Sequence, residues 1–310
     1  MQALSDLLTI VIPVKNEEKN LPACLENVKD FRYVVLVDSG SADKTRDIFE
    51  GFKFQGPSEK VSGEREQRGW DWLDFKWDGK FPKKRNWVLR NYQFKTLWAL
   101  FLDADERVTE AWKRAAEALL TSPDTDQYDV IKCSYDNWFM GRMLRHGDIM
   151  QKTAMVRVGA AEYERIEEDH WSNLDMEIHE HIIPRREGVE HTIVARLEHH
   201  DKRSLESYFR KHEEYAKWEA NRYRMLIAKY GAIANVPNLT VRQRQKYANL
   251  TKWWLAPAYF IVSYILKRGF LDGKAGFVFA CGKMRYFWKI RKLLLSFVRH
   301  DEQVSDCRVS

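Results

Sequence analysis

Three carboxylates, Asp103, Asp105 and Glu106, fall within four positions, directly after the apolar run Trp98–Leu102. Acids this close to an apolar run form either a solvated turn or a holder for something positive. Asp103 and Asp105 bracket Ala104 in D-x-D spacing, so both can offer oxygens to one hard divalent cation. Mg²⁺ and Mn²⁺ take oxygen ligands and commonly bridge diphosphate groups. In "GRMLRHGD", Arg142, Arg145 and His146 gather cations in a short polar loop. That chemistry suits an acceptor phosphate or an acidic sugar; a plain solvated loop would carry the same residues.

Such groups act only if strands and helices bring them together. "LLTIVIPV", Leu7–Val14, is a β-branched run ended by the polar "KNEE" and predicts a buried parallel strand. Leu21, Leu25 and Val28 follow at helical spacing. "YVVLVDSGSADKT" predicts a second buried strand entering a Gly/Ser/Asp turn, with a helix containing Thr45–Phe52 next. This alternation marks an α/β sheet. Residues 55–80 are polar and tryptophan-dotted and predict a loop with a short strand. "KKRNWVLRNY" predicts a helix and "TLWALFLDADE" a strand. "TEAWKRAAEALL" predicts an amphipathic helix with Thr109 as its N-cap. "YDVIKCSYDNWF" and "KTAMVRVG" predict strands flanking the cationic loop, and a long helix from "SLESYF" is closed by Gly231. Ligands on open α/β sheets gather at the carboxyl ends of strands. Here those ends read "KNEE", "DSGSAD" and "DADE", so three polar ends would converge on one edge.

Composition narrows the classes. Hydrophobic residues make up 45% of 310, enough for a full core. A net charge of +6 suits anionic partners: nucleotides, nucleic acid or acidic head groups. The cations cluster beside apolar residues near the C-terminus without a recognised nucleic-acid motif, which counts against a nucleic-acid-binding protein. A nucleotidyltransferase would show a Gly-rich, lysine-bearing loop, and "VIPVKNEEKNL" has no glycine. Cys24, Cys133, Cys281 and Cys307 form no C-x-x-C, so neither zinc site nor disulfide framework is expected, and a reducing compartment fits. No signal peptide is expected, because "MQALSDLLTIVIPV" lacks a basic n-region and a cleavage site. No run of about 18 apolar residues predicts a spanning helix. Trp253–Leu266 is uncharged and aromatic, interrupted by Pro257, and bounded by Lys252 and by Lys267 and Arg268. "FVFACGKMRYFWKIRKLLLSFV" then mixes aromatics with cations at helical spacing. Such a pattern suits a lipid–water interface with anionic head groups; a packed helical subdomain or an oligomer interface is the alternative.

In order, "TIVIPVKNEEKNL", "VVLVDSGSADKT", "KKRNWVL" and "FLDADERV" resemble an inverting family 2 glycosyltransferase of GT-A fold. Further on, "FMGRMLRHGD", "IHEHI", "LEHHDKRSLESYFRKHEEYA" and "LKRGFLDGKAGF" resemble the bacterial branch that builds lipopolysaccharide core and exopolysaccharides. The resemblance implies an α/β catalytic domain over 1–235, a Rossmann-like, mainly parallel mixed sheet flanked by helices. It implies a C-terminal helical, amphipathic, membrane-associating region over 236–310. By the same resemblance Pro13, Asn16 and Glu17 line the nucleotide pocket, and Asp38 contacts uracil or ribose with Ser39 in the turn beside it. Arg85 and Asn86 lie near the donor, and Asp103 approaches its ribose or sugar. Asp105 ligates the metal and His199 completes its shell. Manganese or magnesium is the implied cofactor, and imidazole suits manganese better. An inverting transfer needs a carboxylate to take the acceptor hydroxyl proton. Glu180 matches that position, and Asp169 in "EEDHW" is the second choice. The implied reaction moves a hexose, glucose from UDP-glucose by default, onto a lipid-linked or polysaccharide acceptor with a β-linkage. The implied location is peripheral, on the cytoplasmic face of the inner membrane. A homo-oligomer stays open.

Overall fold

The computed structural model describes residues 3–55, 60–61, 64–65, 69–147, 150–166, 168, 171–172, 174–177, 180–186, 190–200, 204–237 and 239–306. The chain forms two compact units, one of residues 1–138 and 149–202, the other of 139–148 and 203–310. The boundary read from the sequence, 235/236, falls inside the second unit, just after a short 3₁₀ turn, Ile233–Asn235.

The first unit follows the predicted alternation. Strand β1 (Leu8–Val14) leads to helix α1 (Leu21–Val28), β2 (Tyr33–Asp38), α2 (Thr45–Gln55) and β3 (Gly69–Asp74). Then come α3 (Lys84–Asn91), β4 (Trp98–Phe101), a short β5 (Glu106–Arg107) and α4 (Glu110–Leu120). Strands β6 (Val130–Phe139), β7 (Met150–Arg157), β8 (Ala161–Tyr163), β9 (Ile182–Pro184) and β10 (Glu190–His200) complete the unit. The main sheet runs β3-β2-β1-β4-β7-β6-β10-β5. Its first four strands are parallel, β7 is antiparallel to both neighbours, and β10 runs parallel to β6.

Every residue of β1 is buried, because helices cover both faces of the sheet. Side chains alternate between those faces. Ile10 and Ile12 join Leu36, Leu100 and Trp112 on one, while Val11 joins Val35, Val37, Phe101 and Tyr163 on the other. Thr109 caps α4 as expected, its Oγ1 accepting from the Trp112 N–H at 3.1 Å.

The second unit is helical: α5 (Leu205–Tyr230), α6 (Val241–Asn249), α7 (Leu255–Phe260) and α8 (Gly273–Asp306). Ser204 caps α5, and Gly231 ends it with φ 75°. Thr240 and Gln243 form a capping box at α6. Ala216, Ala220, Tyr247, Phe287 and Ile290 make the core. Between α7 and α8 the chain passes through a π-helical stretch, Ile261–Leu266, then Arg268 at φ 57°, then a 3₁₀ turn, Gly269–Asp272. The turn is tight: a Cβ on Gly269 would stand 2.6 Å from the Ser263 carbonyl oxygen, and one on Gly276 would stand 2.0 Å from that of Gly269. Among the described residues no helix is long and apolar enough to cross a membrane.

Candidate active site

The parallel strands are in step, with Val14 beside Asp38 and Val11 beside Phe101. Their carboxyl ends therefore open on one edge, where the sequence placed its polar clusters. The loops after β1 and β2 are stitched together there. Asn16 adopts a left-handed backbone (φ 56°), which asparagine tolerates better than most residues. Its N–H donates to Ser41 Oγ at 2.8 Å, and its Oδ1 accepts from the Ala42 N–H at 2.8 Å. The Glu17 N–H donates to Thr45 Oγ1 at 2.9 Å, and Glu17 Oε2 accepts from Asn20. Asp38 is buried, and its carboxylate accepts from the Gly40 N–H, the Ser41 N–H and the Ser41 hydroxyl, the last at 2.6 Å. Asp38 thus shapes the turn after β2. Pro13 lies within β1, opposite Val37, and the Ser39 N–H closes on the Val14 carbonyl.

Helix α3 brings a second set of groups to the same edge. Lys84 donates from Nζ to the Val14 carbonyl at 2.9 Å, and burial lowers its pKa. Arg85 donates from Nη2 to Asp103 Oδ1 at 2.7 Å, with its guanidinium over the Tyr163 ring. Asn86 exchanges two hydrogen bonds with the Tyr163 backbone, so it fixes β8 rather than reaching outward. The N-terminus of α3 is held by Glu177, whose two oxygens accept from the Arg85 and Asn86 N–H groups at 2.8 and 2.9 Å.

Asp103 has a second cation. Lys152, on β7, donates to Asp103 Oδ2 at 2.8 Å and also pairs with Glu106. Glu106 is fully buried, and burial pushes its carboxyl well above the usual range despite Lys152. Burial alone would depress Lys152; Asp103 and Glu106 outweigh it and hold the ammonium charged. Asp103 is therefore clamped between Arg85 and Lys152, while the next acid faces elsewhere.

That acid is Asp105. Its Oδ2 lies 3.6 Å from His199 Nε2, and its carbonyl accepts from the His200 N–H at 2.6 Å. Strand β10 pairs with β5 in the register that sets His199 against Glu106. His199 Nδ1 lies 3.1 Å from Asn137 Oδ1, a contact that orients the ring with Nε2 toward Asp105. A carboxylate oxygen and an imidazole nitrogen thus converge, a donor set that fits Mn²⁺ or a similar ion. Among the described residues no group of three or more His, Cys, Asp or Glu side chains forms a cage. A two-residue grip suits a cation whose other ligands are diphosphate oxygens.

Glu180 is buried, and its Oε1 accepts from Lys83 Nζ at 2.7 Å. The same ammonium pairs with Glu168. Asp169 lies outside the described residues. Arg142, Arg145 and His146 belong to the second unit, where the Arg145 and His146 N–H groups and His146 Nδ1 all meet the Asp272 carboxylate. Lys83, Lys152 and Glu177 escaped the sequence reading; each meets partners more than forty residues away.

A family model described as "Glycosyl transferase family 2" matches residues 9–185. Among solved structures, similarity extends to S. aureus TarS 1-349, at 13% identity over 95% of this chain and 92% of that chain, with a TM-score of 0.44. It extends also to glucosyl-3-phosphoglycerate synthase from Mycobacterium tuberculosis in complex with Mn2+, uridine-diphosphate-glucose and phosphoglyceric acid, at 16% identity over 42% of this chain and 44% of that chain, with a TM-score of 0.29.

Proposed function

This chain belongs to glycosyl transferase family 2 and has a GT-A fold, and from that premise we propose that it is a metal-dependent, inverting hexosyltransferase using a UDP-sugar, by default UDP-glucose. The observation that carries the reading is the Asp105–His199 pair on the sheet edge, beside an Asp103 already neutralised by Arg85 and Lys152. Asp105 and His199 would hold Mn²⁺ or Mg²⁺, which when bound neutralises the leaving diphosphate. The stitched loops at Asn16, Glu17 and Asp38 would form the wall for the nucleoside, with Pro13 and Ser39 shaping the strand ends. Asp103, turned by its two cations, would take the ribose or sugar hydroxyls.

A carboxylate must take the acceptor proton as the hydroxyl attacks the anomeric carbon from the side opposite the diphosphate. One such displacement converts an α-linked donor into a β-linked product. Glu180 fills this role in our reading, with Asp169 as the alternative. Proton acceptance at Glu180 Oε1 would displace the hydrogen bond from Lys83. The acceptor is proposed to be a lipid-linked saccharide of a lipopolysaccharide or exopolysaccharide pathway. Arg142, Arg145 and His146 are the proposed contacts to it. The protein would work peripherally on the cytoplasmic face of the inner membrane, through its C-terminal helices.

The test is a thermal-shift panel of nucleoside diphosphates with and without Mn²⁺, followed by transfer assays. The expected result is a metal-dependent rise with UDP that Asp105→Ala removes, together with loss of transfer in a folded variant. A rise that is unchanged in Asp105→Ala would remove the metal role; pyrophosphate as product would return the nucleotidyltransferase reading.

A further inference from the structure

The turn between α7 and α8 is built inside out. Its buried positions are a serine, a glycine and an aspartate: Ser263, Gly269 and Asp272. Its large apolar side chains, Ile261, Val262, Ile265, Leu266, Phe270 and Leu271, are all exposed, Leu266 to 70% and Leu271 to 54%. A soluble surface rarely concentrates apolar residues this way without a partner.

The charge around the turn says which partner. From Thr240 to His300 the sequence contains one acid, Asp272, among many lysines and arginines. That acid is consumed internally: its carboxylate accepts from the Arg145 N–H at 3.1 Å, from the His146 N–H at 2.9 Å, and from His146 Nδ1 at 3.0 Å. The Gly147 N–H donates to the Lys267 carbonyl at 2.9 Å. The cationic loop 142–147 is thereby tied to the apolar turn. Lys267 and Arg268 are exposed at the turn's tip. An apolar tip ringed by cations, with its one acid withdrawn, is complementary to an anionic bilayer.

We propose that residues 261–271 are the membrane-inserting element of this protein, docking on anionic lipid, and that Asp272 holds loop 142–147 at the same surface, so that the contacts proposed there to a lipid-linked acceptor fall at the head groups. The proposal rests on the membrane-surface reading given under the proposed function, and adds the segment, the lipid charge and the tie. A second copy of the chain is the competing occupant of the turn.

The full-length protein is sedimented with phosphatidylcholine vesicles and with vesicles that also contain phosphatidylglycerol, without nucleotide. The expected result is binding to the anionic vesicles that weakens with salt. Leu266→Asp with Leu271→Asp should lower that binding by about tenfold or more. Lys267→Glu with Arg268→Glu should lower it by roughly tenfold on anionic vesicles alone. These positions are exposed, so unchanged helicity and unfolding midpoint are expected to confirm folding. Wild-type protein that stays in the supernatant of both vesicle types overturns the proposal. So does a dimer in light scattering that the leucine variant dissolves while vesicle binding is unaffected. Wild-type binding that the leucine variant fully retains sinks this segment alone and leaves the membrane-surface reading standing, whereas wild-type protein that binds no vesicle but keeps its UDP thermal shift sinks both membrane readings and spares the donor assignment.

Discussion

Lys152 joins two acids that lie forty-nine and forty-six positions earlier in the chain, and its ammonium sets the direction in which Asp103 points. Replacing it by methionine leaves Asp103 with one cation and Glu106 buried against nothing positive. Lys152→Met should lower transfer by roughly ten- to a hundredfold, the range of a lost charged hydrogen bond. It should also destabilise the fold by about 3–5 kcal/mol, as breaking a buried pair does. Lys152→Arg should recover most of both, measured as kcat/KM and as the unfolding midpoint. The sequence could not announce this lysine. In "MQKTAMV" it sits in the polar run Gln151–Thr153, which reads like any solvent-facing stretch, and only the antiparallel pairing of β7 shows what lies beside it. The D-x-D acids were legible because their spacing is local. The different partners of the two acids were not, because Arg85, Lys152 and His199 reach them from three other elements.

Helix α3 shows the same division one level up. Its existence was readable from "KKRNWVLRNY". What holds it was not readable: a carboxylate cap supplied by Glu177, ninety-two residues downstream of Arg85. N-caps are usually read in the residue just before a helix, and here Lys83 occupies that place with no side-chain cap bond. Glu177→Ala should therefore cost about 1–2 kcal/mol, the range of a lost cap. That corresponds to a fall in Tm of about 2–4 °C per kcal/mol for a unit of this size, and calorimetry would register it. Because the helix carries Arg85 to Asp103, UDP affinity should fall in parallel; unchanged affinity would show that the cap serves stability alone. Strand β3 was foreshadowed by the short strand expected within 55–80, and its parallel pairing with β2 followed from register, not from pattern.

At the scale of the whole chain, the α/β alternation and the basic, aromatic C-terminal region were both legible, since each is a periodic or compositional signal. The grouping of residues 139–148 with the helices was not, because its ties, Phe139 to Tyr208 and Phe279, Gly147 to Lys267, and Arg145 and His146 to Asp272, all run to residues more than sixty positions away. The Asp272 tie has a pH signature. Burial would raise the Asp272 carboxyl, but the His146 side chain and the His146 and Arg145 N–H groups outweigh it and hold the pKa below its usual value. A depressed acid adds stability above its unfolded pKa of about 3.9 and loses it as pH falls through the folded value. Asp272→Asn should be less stable than wild type by about 2 kcal/mol near neutrality, with the gap closing below about pH 4; equal acid sensitivity in both would exclude the tie. The tightness of the neighbouring turn has a thermodynamic consequence as well. An anchor that folds as it lands surrenders chain entropy on contact. Here Gly269 and Gly276 have already brought the backbone into its final shape, so arrival at a surface would restrict only rigid-body freedom, and the far-UV circular dichroism of this protein should be the same in flight and at rest.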